Sequence, residues 1–332
     1  MPGVPKVRTL LKVLVLHALV VLTLPARAAA AERYALIVTG AHGEASYGDQ
    51  YAIWRQSAVT ALIEKMAFDP QKVVTLFEGG DLAHEASAAN LRRTLSSLKD
   101  RIGADDLLFV LLIGHGSFDG TDAKFNLVGP DLSSSDWGAL LKPVAGRVVV
   151  VDTTAASFPF LEHLSGPRRI VVTATDSVAQ RFDTIFPEYF IRAWTDPGAD
   201  IDKNGRVSLW EAFTAASLGV RRYYTQRGQL PTERALLDDD GDGAGREAGT
   251  DGKDGSVSSR LYLDSDVMGA APTDEVLIGL LQKRAALQIE IDELKQRRPL
   301  MTPEEYQQEF EKMMLDLSRV SRDIRRRQGG SD

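Results

Sequence analysis

Seven consecutive apolar residues, Leu107 to Ile113 (LLFVLLI), constrain this chain more than any other feature. The run is too short for a buried helix of ordinary length, and it has no polar alternation. It therefore reads as a strand covered on both faces. Four further short β-prone runs accompany it: Tyr34–Thr39, Val73–Phe77, Val148–Val151 and Ile170–Thr173. Between them, Tyr51–Met66 and Ala88–Leu98 carry apolar residues at helical spacing. Apolar strands alternating with amphipathic helices imply an α/β fold with a mostly parallel sheet flanked by helices. Right-handed crossovers bring the loops that follow the strands to one edge, and chemistry in such sheets sits outside the carboxyl ends. The loops after Thr39, Ile113 and Val151 are therefore the candidates for a site.

Lys6, Arg8 and Lys12 precede a short apolar run, Val13–Leu24, which is followed by the small-residue stretch Ala26–Ala30. Basic, apolar, then small is the order of a secretory signal, so residues 1–30 read as a signal peptide and the mature chain as exported, periplasmic or secreted. The apolar run is shorter than the about 20 residues that cross a bilayer, so no membrane span is expected after signal removal. Loss of Lys6, Arg8, Lys12 and Arg27 takes the net charge from −7 to −11. That balance argues against nucleic-acid binding, which needs clustered cations. It suits a divalent-cation binder or a cationic partner.

Asp200-Ile-Asp-Lys-Asn-Gly-Arg-Val-Ser-Leu-Trp-Glu211 fits the twelve-residue calcium loop of an EF-hand at every key position. Asp200, Asp202 and Asn204 offer single oxygens, and Gly205 permits the sharp turn. Arg206 offers its carbonyl, Ser208 acts directly or through water, and Glu211 closes the sphere with two oxygens. Helical patterns on either side, Phe186–Trp194 and Leu209–Tyr224, match the helix–loop–helix context. Calcium is the expected cofactor, in a structural role. A second acidic run, Asp238–Gly243, starts like such a loop but has Gly249 at the closing position, with Glu247 too early. It reads either as a half-loop or as an acidic linker, and Asp251–Gly255 is a weaker match still.

Residues 231–270 form an Asp/Gly-rich segment, and from Asp238 to Gly255 the chain has too few apolar groups to pack a core. After Pro272 the pattern turns helical. Leu277, Leu280, Leu287, Ile291 and Leu294 make one stripe, interrupted at Arg284. Arg298-Pro299 breaks it, and Thr302-Pro303-Glu304-Glu305 restarts a helix as a capping box. Tyr306, Phe310, Met313, Leu317, Val320 and Ile324 then form a heptad stripe. Residues 271–328 are thus predicted as an antiparallel helical hairpin or coiled coil, able to pack on itself, on the body or on another copy as a homo-oligomer.

Three loops together resemble the caspase-like peptidases of the legumain type, over roughly Tyr34 to Tyr224. YALIVT runs into Gly40-Ala-His42-Gly, with Tyr47 and Gln50 following; LLFVLLI runs into Gly114-His115-Gly116-Ser117; VVVV runs into Asp152-Thr-Thr-Ala-Ala-Ser157. Ile170–Ser177 is similar to the strand that follows in that family. The resemblance implies a caspase-like domain over 31–230 that includes the loop 200–211, a catalytic histidine at His115, and a cysteine nucleophile at Thr154 or Ala155, depending on which end of 152–157 is aligned. The chain contains no cysteine. His42 stands where legumains carry an orienting asparagine, and Gly48 where they carry an arginine of the specificity pocket. The expected reading is therefore a catalytically inactive, calcium-binding peptidase homologue that binds a peptide or protein. The alternative is a hydrolase in which His115 activates Thr153, Thr154 or Ser157. His42, His84 and His163 are assigned no role.

Overall fold

A computed structural model describes residues 31–180, 182–250, 252–264 and 275–328. The expected signal segment, 1–30, lies outside the described residues. Six strands form the main sheet: β1 (Arg33–Thr39), β2 (Val73–Phe77), β3 (Leu107–Ile113), β7 (Arg147–Asp152), β8 (Arg169–Thr173) and β9 (Leu236–Asp238). A small antiparallel sheet, β4 (Gly116–Phe118), β5 (Ala123–Phe125) and β6 (Leu132–Ser133), follows directly on β3. The main order is β2-β1-β3-β7-β8-β9, all parallel except β9.

The reason for this architecture is visible in the burial. Every residue of β3 is buried, as its unbroken apolar sequence requires. Alternate side chains serve opposite faces. Ile37, Phe109, Leu111, Val151 and Val172 pack on one face with α1 (Ala45–Thr60), α5 (Phe186–Ala193) and α6 (Leu209–Gln226). Leu36, Val110, Leu112, Val150 and Val171 pack on the other with α2 (Ala88–Arg101), α3 (Ser134–Leu141) and α4 (Phe160–Leu164). An α/β fold with a mostly parallel sheet between helices is therefore the architecture of this chain.

Helix α1 starts at Ala45, earlier than the apolar spacing from Tyr51 suggests, and runs into a π turn at Ala61–Lys65. The early turn carries Gly48 against the His42 ring, where an added Cβ would lie 3.0 Å from His42 Cδ2. The sheet order reverses between β1 and β3, because β2 lies beyond β1 while β3 lies on its other side. That switch point is where α/β sheets open a crevice. Gly40 closes its floor, donating its N–H to the Ile113 carbonyl at 2.9 Å. A Cβ at Gly40 would meet the Asn126 carbonyl at 2.3 Å, so glycine is required there.

One expectation is corrected. The acidic segment after Leu237 packs into the body rather than hanging from it. Leu236 and Leu237 are buried in β9, which pairs antiparallel with β8, and Ala248, Leu261 and Leu263 are buried beside them. Carboxylates do the work that apolar side chains do elsewhere. Asp239 Oδ2 accepts from the N–H groups of Val257 and Ser258, and Asp254 Oδ1 from that of Asp239. Composition misses such a core because its ties are hydrogen bonds to backbone.

The hairpin is present as α7 (Glu275–Arg297) and α8 (Pro303–Gln328), separated by a turn at Arg298–Leu300. Thr302 and Glu305 form the expected reciprocal cap, at 3.0 and 3.2 Å. Leu281, Leu287, Val320 and Ile324 pack between the helices. Arg221 of α6 pairs with Glu293 of α7 at 2.6 Å, tying the hairpin to the body. No helix among the described residues is long and apolar enough to cross a membrane.

Candidate functional site

The carboxyl ends of β1, β3, β7 and β8 lie in line, since Thr39 pairs with Ile113, Leu112 with Asp152 and Asp152 with Thr173. The loops they release enclose a cleft of about 500 Å³. Its walls include Tyr47, Tyr51, His115, Ala155, Asp183 and Tyr223. His115 is thus at the site where the sequence placed it.

Its partners were not anticipated. His115 Nδ1 lies 2.9 Å from Asp183 Oδ1, and Nε2 lies 3.3 Å from the backbone carbonyl of His42. Tyr47 and Tyr51, one turn apart on α1, present their rings edge-on to the imidazole, at centroid distances of 4.7 and 5.6 Å. The Tyr47 hydroxyl donates to Asp183 Oδ2. That bond to a carboxylate, followed by its charge, raises the Tyr47 pKa. Burial first, and then the Asp183 charge, pushes Tyr51 well above the usual phenol range. Asp183 is held in turn by its neighbours. Thr184 donates to the Thr153 carbonyl, and the N–H groups of Ile185 and Phe186 donate to Glu233 Oε2 at 2.9 and 3.1 Å. Asp183 lies in no motif; the strand-end rule that marks the loops after β1, β3 and β7 applies equally to the loop after β8 that carries it.

The candidate hydroxyls are placed differently from His115. Thr154 is fully buried, and its side chain lies under Gly116, where a Cβ would meet Thr154 Oγ1 at 2.6 Å. Thr153 Oγ1 donates to the Leu112 carbonyl at 2.7 Å. Ser157 Oγ bonds Thr175 Oγ1 at 3.0 Å and accepts from the N–H groups of Ala174 and Thr175. Among the described residues, no hydrogen bond joins any of the three to His115. Thr153, Ala155 and Ala156 border the cleft, but of residues 152–157 only Ala155 is partly exposed, and it has no reactive atom. Thr154 is therefore not brought together with His115 as a nucleophile, because the loop turns its hydroxyl inward. Beneath the loop, Asp152 is fully buried; burial pushes it up to about 7, against the opposing bond from the Thr154 N–H at 2.9 Å.

The EF-hand-type loop is laid out as its spacing requires. Carboxylate oxygens of Asp200, Asp202 and Glu211 all lie within 4.8 Å of one another. Gly205 has φ +86°, the left-handed turn that glycine favours, and its N–H donates to Asp200 Oδ2 at 3.0 Å. Asn204 Oδ1 accepts from the Arg206 N–H at 2.8 Å, and Asn204 Nδ2 donates to Asp202 Oδ2 at 2.9 Å. Ser208 caps α6: its hydroxyl donates to Glu211 Oε2 at 2.8 Å and accepts from the Glu211 N–H at 3.2 Å. Its hydroxyl is thus engaged with the helix start. Glu211 is pushed up to about 7, by burial first and next by the Asp202 charge. Buried like charges crowded in this way fit a divalent cation with oxygen ligands, held by Asp200, Asp202, Asn204, Arg206 and Glu211. The strand of the loop pairs not with a second EF-hand but with the chain at 261–262. Ser208 bridges Tyr262, and the Leu209 N–H donates to the Leu261 carbonyl at 2.9 Å.

The second acidic run repeats half of this geometry. Gly243 donates to Asp238 Oδ2 and Ala244 to Asp242 Oδ1, both at 2.8 Å, as Gly205 and Arg206 do in the first loop. Carboxylates of Asp238, Asp240 and Asp242 converge within 4.8 Å. Glu247 turns away to Arg234, at 3.5 Å. The run is therefore an ordered half-loop.

No protein-family model matches the chain, and no curated protein matches it. Among solved structures it is similar to protein GSU0716 from Geobacter sulfurreducens, at 16% identity and a TM-score of 0.38, over 62% of this chain and 92% of that one.

Proposed function

We propose that this chain is an exported, calcium-binding protein of caspase-like, legumain-type fold that binds a peptide or protein in the cleft around His115 without cleaving it. The observation that carries the reading is Ala155. It occupies the cleft wall beside His115, where a nucleophile would be needed, while the hydroxyls of Thr153, Thr154 and Ser157 are buried. Nucleophilic catalysis needs base and nucleophile within hydrogen-bond reach. The order of the loops after β1, β3 and β7 and the glycine-flanked His115 support the caspase-like assignment. The loop 200–211 supports calcium in a structural role. It sits between α5 and α6, and both pack on the sheet face under the cleft. The half-exposed stripe of Tyr306, Phe310 and Met313 supports self-association through the hairpin.

The test is peptide-library cleavage by the purified chain, in calcium and in chelator, alongside His115→Ala. The expected outcome is no turnover by a folded, calcium-loaded protein. Turnover that disappears with His115→Ala would overturn the reading.

One observation favours the second reading, a hydrolase with a hydroxyl nucleophile. The His115–Asp183 pair orients an imidazole as a carboxylate does in a Ser–His–Asp triad. That reading requires the 153–157 loop to turn a hydroxyl outward. It predicts covalent labelling at Thr153, Thr154 or Ser157 by a fluorophosphonate probe.

A further inference from the structure

Arg284 is the residue that breaks the apolar stripe of α7, and the hairpin's own packing does not explain it. The core between the helices is built from Leu281, Leu287, Val320 and Ile324. Arg284 instead lines a cavity of about 270 Å³ together with Asp200, Ile201 and Lys203 of the acidic loop. Among the described residues its guanidinium forms no hydrogen bond or ion pair. Burial holds Arg284 below its ordinary value, and the like charge of Arg325 adds to this, while the charges of Asp202, Glu211 and Asp200 act in the opposite direction. Those are the three carboxylates that converge in the loop. The other cations on the cavity wall, Lys203, Arg192 and Arg222, belong to the body; Lys203 donates to the Pro197 carbonyl at 3.3 Å, and Arg192 stacks on Tyr189.

A half-buried guanidinium without a hydrogen-bonded partner is retained at a cost in desolvation. Its position offsets that cost through the field of the loop. We propose that Arg284 is a tethered counter-cation of the 200–211 loop, so that it weakens calcium binding there and couples metal uptake to the seating of the hairpin. The inference rests on the calcium reading of the loop given above. Electrostatics sets the direction. Three carboxylates attract Arg284 when no metal is bound. A divalent cation cancels most of that attraction and repels the guanidinium. Linkage is reciprocal: if Arg284 weakens calcium, calcium must weaken the contact of Arg284 with the loop by the same factor. The Arg221–Glu293 ion pair keeps the hairpin attached, so the effect is a change in affinity and local order rather than release.

The experiment is calorimetric titration of the whole chain with calcium chloride, for the native protein, Arg284→Gln and Arg284→Lys. Arg284→Gln is expected to tighten calcium binding by about 3- to 10-fold, from the removal of one screened charge near the ion. The gain should shrink at high salt. Arg284→Lys, which keeps the charge, is expected to bind as the native chain does, which separates charge from packing. Hydrogen exchange of the α7 amides is expected to rise on adding calcium to the native chain and to be unchanged by calcium in Arg284→Gln. Equal or weaker binding by a folded Arg284→Gln would overturn the inference while leaving the calcium reading intact. Lack of calcium uptake by the native chain and by Arg284→Gln alike would overturn both.

Discussion

His115 Nδ1 and Asp183 Oδ1 meet at 2.9 Å, although the two residues leave the sheet from different strands, β3 and β8. The pair spans the β7 loop, and the other ring nitrogen points at the His42 carbonyl. Both nitrogens therefore face acceptors, and neither is aimed at a hydroxyl of residues 153–157. The imidazole is a fixed part of the cleft wall, stacked edge-on by Tyr47 and Tyr51.

The inward turn of the β7 loop gives a direct test by thiol reactivity, which is clean in a chain without cysteine. Ala155→Cys is expected to alkylate with iodoacetamide at least ten times faster than Thr154→Cys, because reactivity follows exposure and thiolate character. Mass spectrometry of the two time courses decides it. Equal rates would mean that the loop opens readily and would revive the hydroxyl nucleophile.

Gly116 and Thr154 are in van der Waals contact, with room for no further atom. A Cβ at Gly116 would sit 2.6 Å from Thr154 Oγ1 and 3.0 Å from Ala156 Cβ. Gly116→Ala is expected to destabilise the fold by about 1–3 kcal/mol through overpacking. Combining it with Thr154→Gly should recover part of the loss. Urea denaturation of the two variants measures both effects.

Asp152 supplies a pH dependence whose sign is set by burial. Its carboxyl rises from the ordinary 3.8 to about 7 in the fold. The native state therefore favours the protonated form. That contribution to stability is complete below the ordinary carboxylate range and is lost as pH rises through about 7. Asp152→Asn keeps an acceptor for the Thr154 N–H and carries no charge to desolvate. It is expected to be more stable than the native chain at pH 8 by about 2–4 kcal/mol, with the difference vanishing near pH 4. Thermal melts of both proteins across that range test it.

Calcium should stabilise the fold by mass action, by about 2.7 kcal/mol at a hundred times the dissociation constant. Glu211→Gln is expected to remove that increment and to raise the metal-free melting temperature, because it takes away a charge held among Asp200 and Asp202. Differential scanning calorimetry in calcium and in chelator distinguishes the two effects. A calcium shift that survives Glu211→Gln would remove the loop from the explanation.

The parallel sheet was legible because β3 is apolar from end to end and β7 carries four consecutive valines, runs that call for cover on both faces. The calcium-type loop was legible because its ligands are local in sequence. Asp183 was not, since it carries no motif and reaches His115 only through the alignment of β3, β7 and β8. The inward turn of Thr154 was hidden for a related reason. It depends on the close approach of Gly116, a contact between loops that no spacing encodes. The acidic segment misled because Asp238, Asp239 and Asp254 are buried by backbone N–H donors, whereas composition counts carboxylates as solvated.

The antiparallel edge strand also sets an order of assembly. β9 is encoded after the loop 200–211 and after α6, yet it covers the open side of β8. A chain emerging from its N-terminal end presents β8 as a bare edge until residues 236–238 arrive, and bare edges recruit other strands. Whatever organises the acidic turns in the meantime, hydrogen-bonded carboxylates or a captured ion, also shortens the interval during which a half-made sheet can pair with the wrong neighbour.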